Sequence, residues 1–182
     1  MYSGLREIAA RYWTAYGGTR ALIRSPYLHL AFLVLLITSH YWINSPWWEQ
    51  PLSIIPNLLG FSLGGLAMLL SFGNAEFQKF ISKKDEESGS DPTAFIEVSA
   101  SFVHFMLLQL AALLVATTFN ALDFYVSWPK CIRPIVDISA AALSGLGYLL
   151  FLYSITAMVA AVFAVFRMTS WFEMFQNPPK NS

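Results

Sequence analysis

Few side chains in this sequence could do chemistry, and their spacing argues against catalysis. The chain has three histidines, His29, His40 and His104, and one cysteine, Cys131. A zinc centre or an activated nucleophile needs such groups at short, defined separations, as in Cys-x2-Cys, His-Glu-x2-His or a nucleophile beside its base. None of these patterns occurs, and neither does a glycine-rich phosphate loop. Arg24 and His29 stand at an Arg-x4-His spacing that can serve nucleic-acid hydrolysis, but Pro26 lies between them at the edge of an apolar block. We therefore expect no enzyme, catalytic residue, metal or cofactor.

His104 is the sharpest candidate, because an ionisable residue inside a long apolar run is a functional hypothesis by default. The competing reading is a hydrogen bond between helices, to Ser71, Ser62 or Tyr153, and it is preferred because a histidine costs less in an apolar interior than a carboxylate. Gln109, Asn57 and Asn120 are read in the same way, with His104, Gln109 and Asn57 as the candidate polar interior. His104 and Gln109 are five positions apart, about 140° around a helix, so they do not share a face and are not expected to form a joint ligand site. No apolar block holds a carboxylate at mid-depth, which counts against an ion-coupled pump.

The elements that position these residues follow from composition. Of 182 residues, 56% are hydrophobic and 12% charged, against roughly 45–50% and 25% in soluble domains. The apolar residues come in blocks long enough to cross a bilayer. The pattern predicts an all-α polytopic membrane protein, a four-helix transmembrane domain over 26–170 with spans at about 26–44, 53–73, 94–120 and 138–166. Pro26 suits the first position of a helix. Trp42, Trp47 and Trp48 suit a membrane–water boundary.

The second span carries Gly60, Gly64, Ala67 and Ser71 at spacings of four, three and four, a stripe of small residues that would let a partner helix approach closely. It is expected to be the centre of packing. Ala157 and Ala161 repeat the small-xxx-small pattern in the last span.

Residues 1–25 form a basic, aromatic-rich leader with Leu5, Ile8, Tyr12 and Ala15 or Tyr16 on one side of a helix that Gly17-Gly18 ends. Loop 75–93 is predicted to be cytoplasmic, with Lys79, Lys83 and Lys84 followed by Asp85, Glu86 and Glu87. Together with Arg6 and Arg11 these are the candidate surface for lipid headgroups or a cytosolic protein. Residues 171–182 read as an interfacial aromatic segment and tail. The 11 basic and 11 acidic residues balance, so no direct binding of nucleic acid is expected.

Four spans in under two hundred residues, with Pro-Asn-Leu-Leu-Gly-Phe-Ser-Leu-Gly-Gly at 56–65, resemble small membrane subunits of bacterial anti-phage systems of the Kiwa membrane-component type. The resemblance covers the span number and this segment. It implies a membrane sensor or anchor that recruits a cytosolic effector, and it assigns no residue a role. The expectation is a non-enzymatic, homo-oligomeric inner-membrane protein that holds a cytosolic partner. The alternative is an ion or small-solute channel or carrier lined by His104, Gln109, Asn57 and Thr117.

Nine of the eleven Lys and Arg residues fall in the leader, the 75–93 loop or the region from Arg167 onward, leaving Lys130 and Arg133 on the other side. The positive-inside bias then puts both termini in the cytoplasm. A reporter fused after Ser88 should be active on the cytoplasmic side and one beside Lys130 on the opposite side. Activity of both on the same side would rule out this topology.

Overall fold

The structure is a computed structural model that describes residues 2–71, 75–82, 93–123 and 133–177. All regular structure among the described residues is helical: α1 (Tyr2–Tyr16), α2 (Gly18–Arg24), α3 (Pro26–Ile37), α4 (Ser39–Asn44), α5 (Glu49–Ser71), α6 (Ala75–Ile81), α7 (Ala94–Leu122) and α8 (Arg133–Gln176). Three of them, α5, α7 and α8, are long and apolar enough to cross a bilayer, as a multi-pass membrane protein requires. Apolar side chains on their outer faces, such as Phe61 and Leu114, are exposed, which suits contact with lipid.

The first expected span, 26–44, is not one helix. α3 has 12 residues, roughly 18 Å at about 1.5 Å per residue, against about 30 Å of hydrocarbon. It stops at Thr38, whose hydroxyl donates to the Val34 carbonyl at 2.7 Å, and the Trp42 indole donates to the Leu35 carbonyl at 3.0 Å across the break. On its other side α3 meets α2 at a bend of 47°, so a fourth crossing exists only if that bent pair counts as one span. Residues 83–92, with Lys83, Lys84, Asp85, Glu86 and Glu87, and Cys131 lie outside the described residues.

Packing centres on α8, which contacts both α7 and α3, while α5 packs on α7. This corrects the expectation that the second span is the hub. On α5, Ile55, Leu59, Ser62 and Leu66 share the inner side, and Ile55 is fully buried. Gly60, Gly64, Ala67 and Ser71 fall on the far side, about 140° away at about 100° per residue. All four are exposed, and a Cβ built at Gly60 or Gly64 would meet nothing within 4 Å. Large side chains bring more dispersion contacts to an interface than a glycine stripe does, and they take the α7 side.

Where glycine is required is on α8. A Cβ at Gly147 would stand 2.5 Å from Cη2 of Trp47, and one at Gly145 3.1 Å from Cη2 of Trp42. Trp47 is fully buried, with Phe119 at 5.2 Å and Tyr148 at 5.9 Å between ring centroids. Ala157 and Ala161 are buried about three and four helical turns beyond Gly147, in a core with Ala31, Phe102 and Phe105. The end of α8 continues past the expected boundary at 170, and Phe172 and Phe175 close on the buried Phe77 of α6 at 5.0 and 5.6 Å.

Gly147→Ala should destabilise the fold by about 1–3 kcal/mol, because a rigid, enclosed indole must move. Gly64→Ile should leave the melting of the isolated chain in detergent nearly unchanged. Equal losses of melting temperature in the two variants would show that the Gly64 face is packed within the chain.

Candidate functional site

The site begins with two tyrosines one turn apart on α1. Tyr12 and Tyr16 share a face, and the chain reverses immediately after them at Gly17 and Gly18, whose φ values of 99° and 65° lie in the left-handed region. Only glycine enters that region without steric cost. The reversal lays α1 back on α7, over His104.

His104 is 6% exposed and both of its ring nitrogens are engaged. Nδ1 is 2.6 Å from the Tyr12 hydroxyl and Nε2 is 3.2 Å from the Tyr153 hydroxyl. The Tyr16 ring stacks on the imidazole at 3.7 Å between centroids, and its hydroxyl lies 3.3 Å from that of Tyr153. The result is a continuous chain, Tyr12–His104–Tyr153–Tyr16, joining α1, α7 and α8. Each phenol can donate and accept, so the chain is satisfied whichever imidazole nitrogen carries the proton. Burial raises the Tyr12 phenol pKa, and burial together with the Tyr16–Tyr153 contact raises that of Tyr16 more strongly.

Of the three partners named for His104 from sequence, Tyr153 is the one used. Tyr12 and Tyr16 were missed, although their i, i+4 spacing on the apolar side of the leader is a legible signal. Gln109 is fully buried on another side of α7, with its Oε1 3.4 Å from the Ser62 hydroxyl, so it does not join His104. The Gln109 Nε2 has no hydrogen-bond partner among the described residues.

Asn57 is exposed, which corrects its placement in the polar interior. Thr117 is exposed too and donates to its own helix at the Leu113 carbonyl, so the four residues expected to line a pathway are not gathered in one chain. Arg24 and His29 are both exposed, as are Arg6, Arg11 and Lys79. Among the described residues no group of three His, Cys, Asp or Glu could hold a metal ion.

Beside the His104 chain is a cavity of about 260 Å³, lined among others by Tyr16, Arg24, Ser25, Tyr27, His104 and Tyr153. A second, apolar one of about 270 Å³ lies between α5 and α8 and includes Phe61, Met68, Phe102 and Val162 in its walls. The first holds hydrogen-bonding groups in its wall, among them the Arg24 guanidinium and the Ser25 hydroxyl.

No family model matches the chain, and no curated protein or solved structure matches it.

A raised phenol pKa binds a proton that the unfolded chain releases near pH 10, so the docking of α1 is at full strength below that pH and is lost as pH rises through the higher folded values. Tyrosinate absorbance measured against pH should therefore show Tyr12 and Tyr16 in its late part. The Tyr12→Phe/Tyr16→Phe variant should lose amplitude there. Loss of amplitude near the free-phenol range would mean that α1 is undocked in solution.

Proposed function

We propose that this protein is a non-enzymatic, oligomeric inner-membrane anchor or sensor that holds a cytosolic partner, in the manner of membrane subunits of anti-phage systems. The observation that carries this reading is the arrangement of α1. The helix is tied to the bundle by its C-terminal half through Tyr12 and Tyr16, while Leu5 and Ile8 at its free end are 65% and 70% exposed beside the exposed Arg6 and Arg11. A helix secured at one end, with apolar and basic groups presented at the other, offers a surface for a protein or for anionic lipid.

In this reading the bent pair α2–α3 counts as a crossing, giving four, and an even number agrees with both basic termini being cytoplasmic. The open stripe of Gly60, Gly64, Ala67 and Ser71 serves contact between copies, since small residues at helical spacing permit close backbone approach in lipid.

Two measurements test the proposal together. Reconstituted protein should hold a potassium gradient in liposomes, and Gly64→Cys in a Cys131→Ser background should cross-link between copies. A leak that His104→Gln abolishes, with no cross-link at position 64, would replace the anchor with a conducting protein.

A further inference from the structure

We propose that the cavity at the start of α3 is a phosphate site, filled by the headgroup of an anionic lipid or by free phosphate. Its walls include Arg24, Ser25, Pro26 and Tyr27 from the bend between α2 and α3, with Ser101 of α7 and Ala160 of α8 opposite.

Ser25 is the observation that points to a ligand. It occupies the N-cap position of α3 yet makes no capping hydrogen bond, and it is 8% exposed. Ser25 lines the cavity, and because its hydroxyl is not used as a cap it is available to a group bound there. The backbone around it is equally incomplete. Pro26 has no N–H, and the amides of Tyr27 and Leu28, in the first turn of a 12-residue helix, have no acceptor within that helix. Free amides at a helix start, with the helix dipole behind them, favour an anion.

The charges around the cavity agree. Arg24 brings a guanidinium whose fork of donors matches phosphate oxygens, and no carboxylate is among the lining residues. Glu97, one turn from Ser101 on α7, is engaged elsewhere, 3.8 Å from Arg167 of α8. The Thr156 hydroxyl donates to the Tyr27 carbonyl at 2.9 Å, which holds the start of α3 against α8 and keeps the donors in place.

Depth fits a phospholipid head. Ser101 is one turn, about 6 Å, further along α7 than the Glu97–Arg167 pair, which puts the cavity just inside the charged edge of the apolar helices. Its volume of about 260 Å³ takes a phosphate group with its first carbons and leaves acyl chains outside, along the exposed faces. The site goes beyond the anchoring role and does not depend on it.

The test uses the full chain. Nanodiscs of phosphatidylcholine with and without phosphatidylglycerol, followed by native mass spectrometry, count the anionic lipid that stays bound. In parallel, inorganic phosphate is titrated against melting temperature in lipid-free detergent. Arg24→Gln should weaken binding about tenfold or more, in line with losing a charge-assisted hydrogen bond. Ser25→Ala should weaken it severalfold without unfolding the chain, because the hydroxyl caps nothing.

Arg20→Gln, at an exposed arginine outside the cavity wall, should leave binding unchanged. Retention of phosphatidylglycerol that depends on Arg24 identifies a lipid head as the ligand, and an Arg24-dependent rise in melting with phosphate identifies the free anion. Binding that none of the variants alters, or that Arg20→Gln lowers as much as Arg24→Gln, would overturn the proposal.

Discussion

Close approach to the small residues of α8 is the constraint on which the other contacts depend. Helices in hydrocarbon gain nothing from hiding apolar surface from one another, because lipid tails are as apolar as leucine, so association rests on dispersion and hydrogen bonds at short range. α8 supplies that range with Gly145, Gly147, Ala157, Ala161 and Ala164. The large partners come from its neighbours, Trp42 and Trp47 over the glycines and Phe102 and Phe105 near the alanines. A small-to-large change on α8 therefore displaces a whole ring, while the same change on the outer face of α5 meets open space.

Within this frame several buried or half-buried polar groups form bonds between elements. Thr156 holds the start of α3 on α8, Tyr148 of α8 donates to Gln50 of α5 at 3.2 Å, and His104 joins α7 to α1 and α8. Such bonds are worth about 0.6 kcal/mol on average inside membranes, so they fix geometry more than they add stability. The Gln109 and Trp47 nitrogens, without partners among the described residues, work the other way, each costing about 1–3 kcal/mol where a donor is buried unmade.

The α1–α2–α3 segment is where geometry and recognition meet. One reversal at Gly17-Gly18 and one bend at Ser25 bring Tyr16 into the wall of the cavity together with His104 and Tyr153. The leader is thereby part of the bundle, and a change in cavity occupancy bears directly on a residue that docks α1.

The all-helical class and the three longest apolar helices were legible from the blocks without charge, because backbone groups facing hydrocarbon must bond internally and only length and apolarity decide the element. The break at Gly17-Gly18 and the start of α3 at Pro26 were legible too, since both follow from local backbone stereochemistry. Spacing on one helix also separated His104 from Gln109 correctly. It could not say which side of α5 faces inward, because a stripe of small residues permits close approach without specifying whose. Nor could it show that the first apolar block breaks at Thr38, that Asn57 points outward, or that Tyr12 and Tyr16 close over His104. Those outcomes belong to the tertiary structure, in which a side chain's position is set by the shape of the neighbour that fills the space beside it, and periodicity along one helix carries no record of that neighbour.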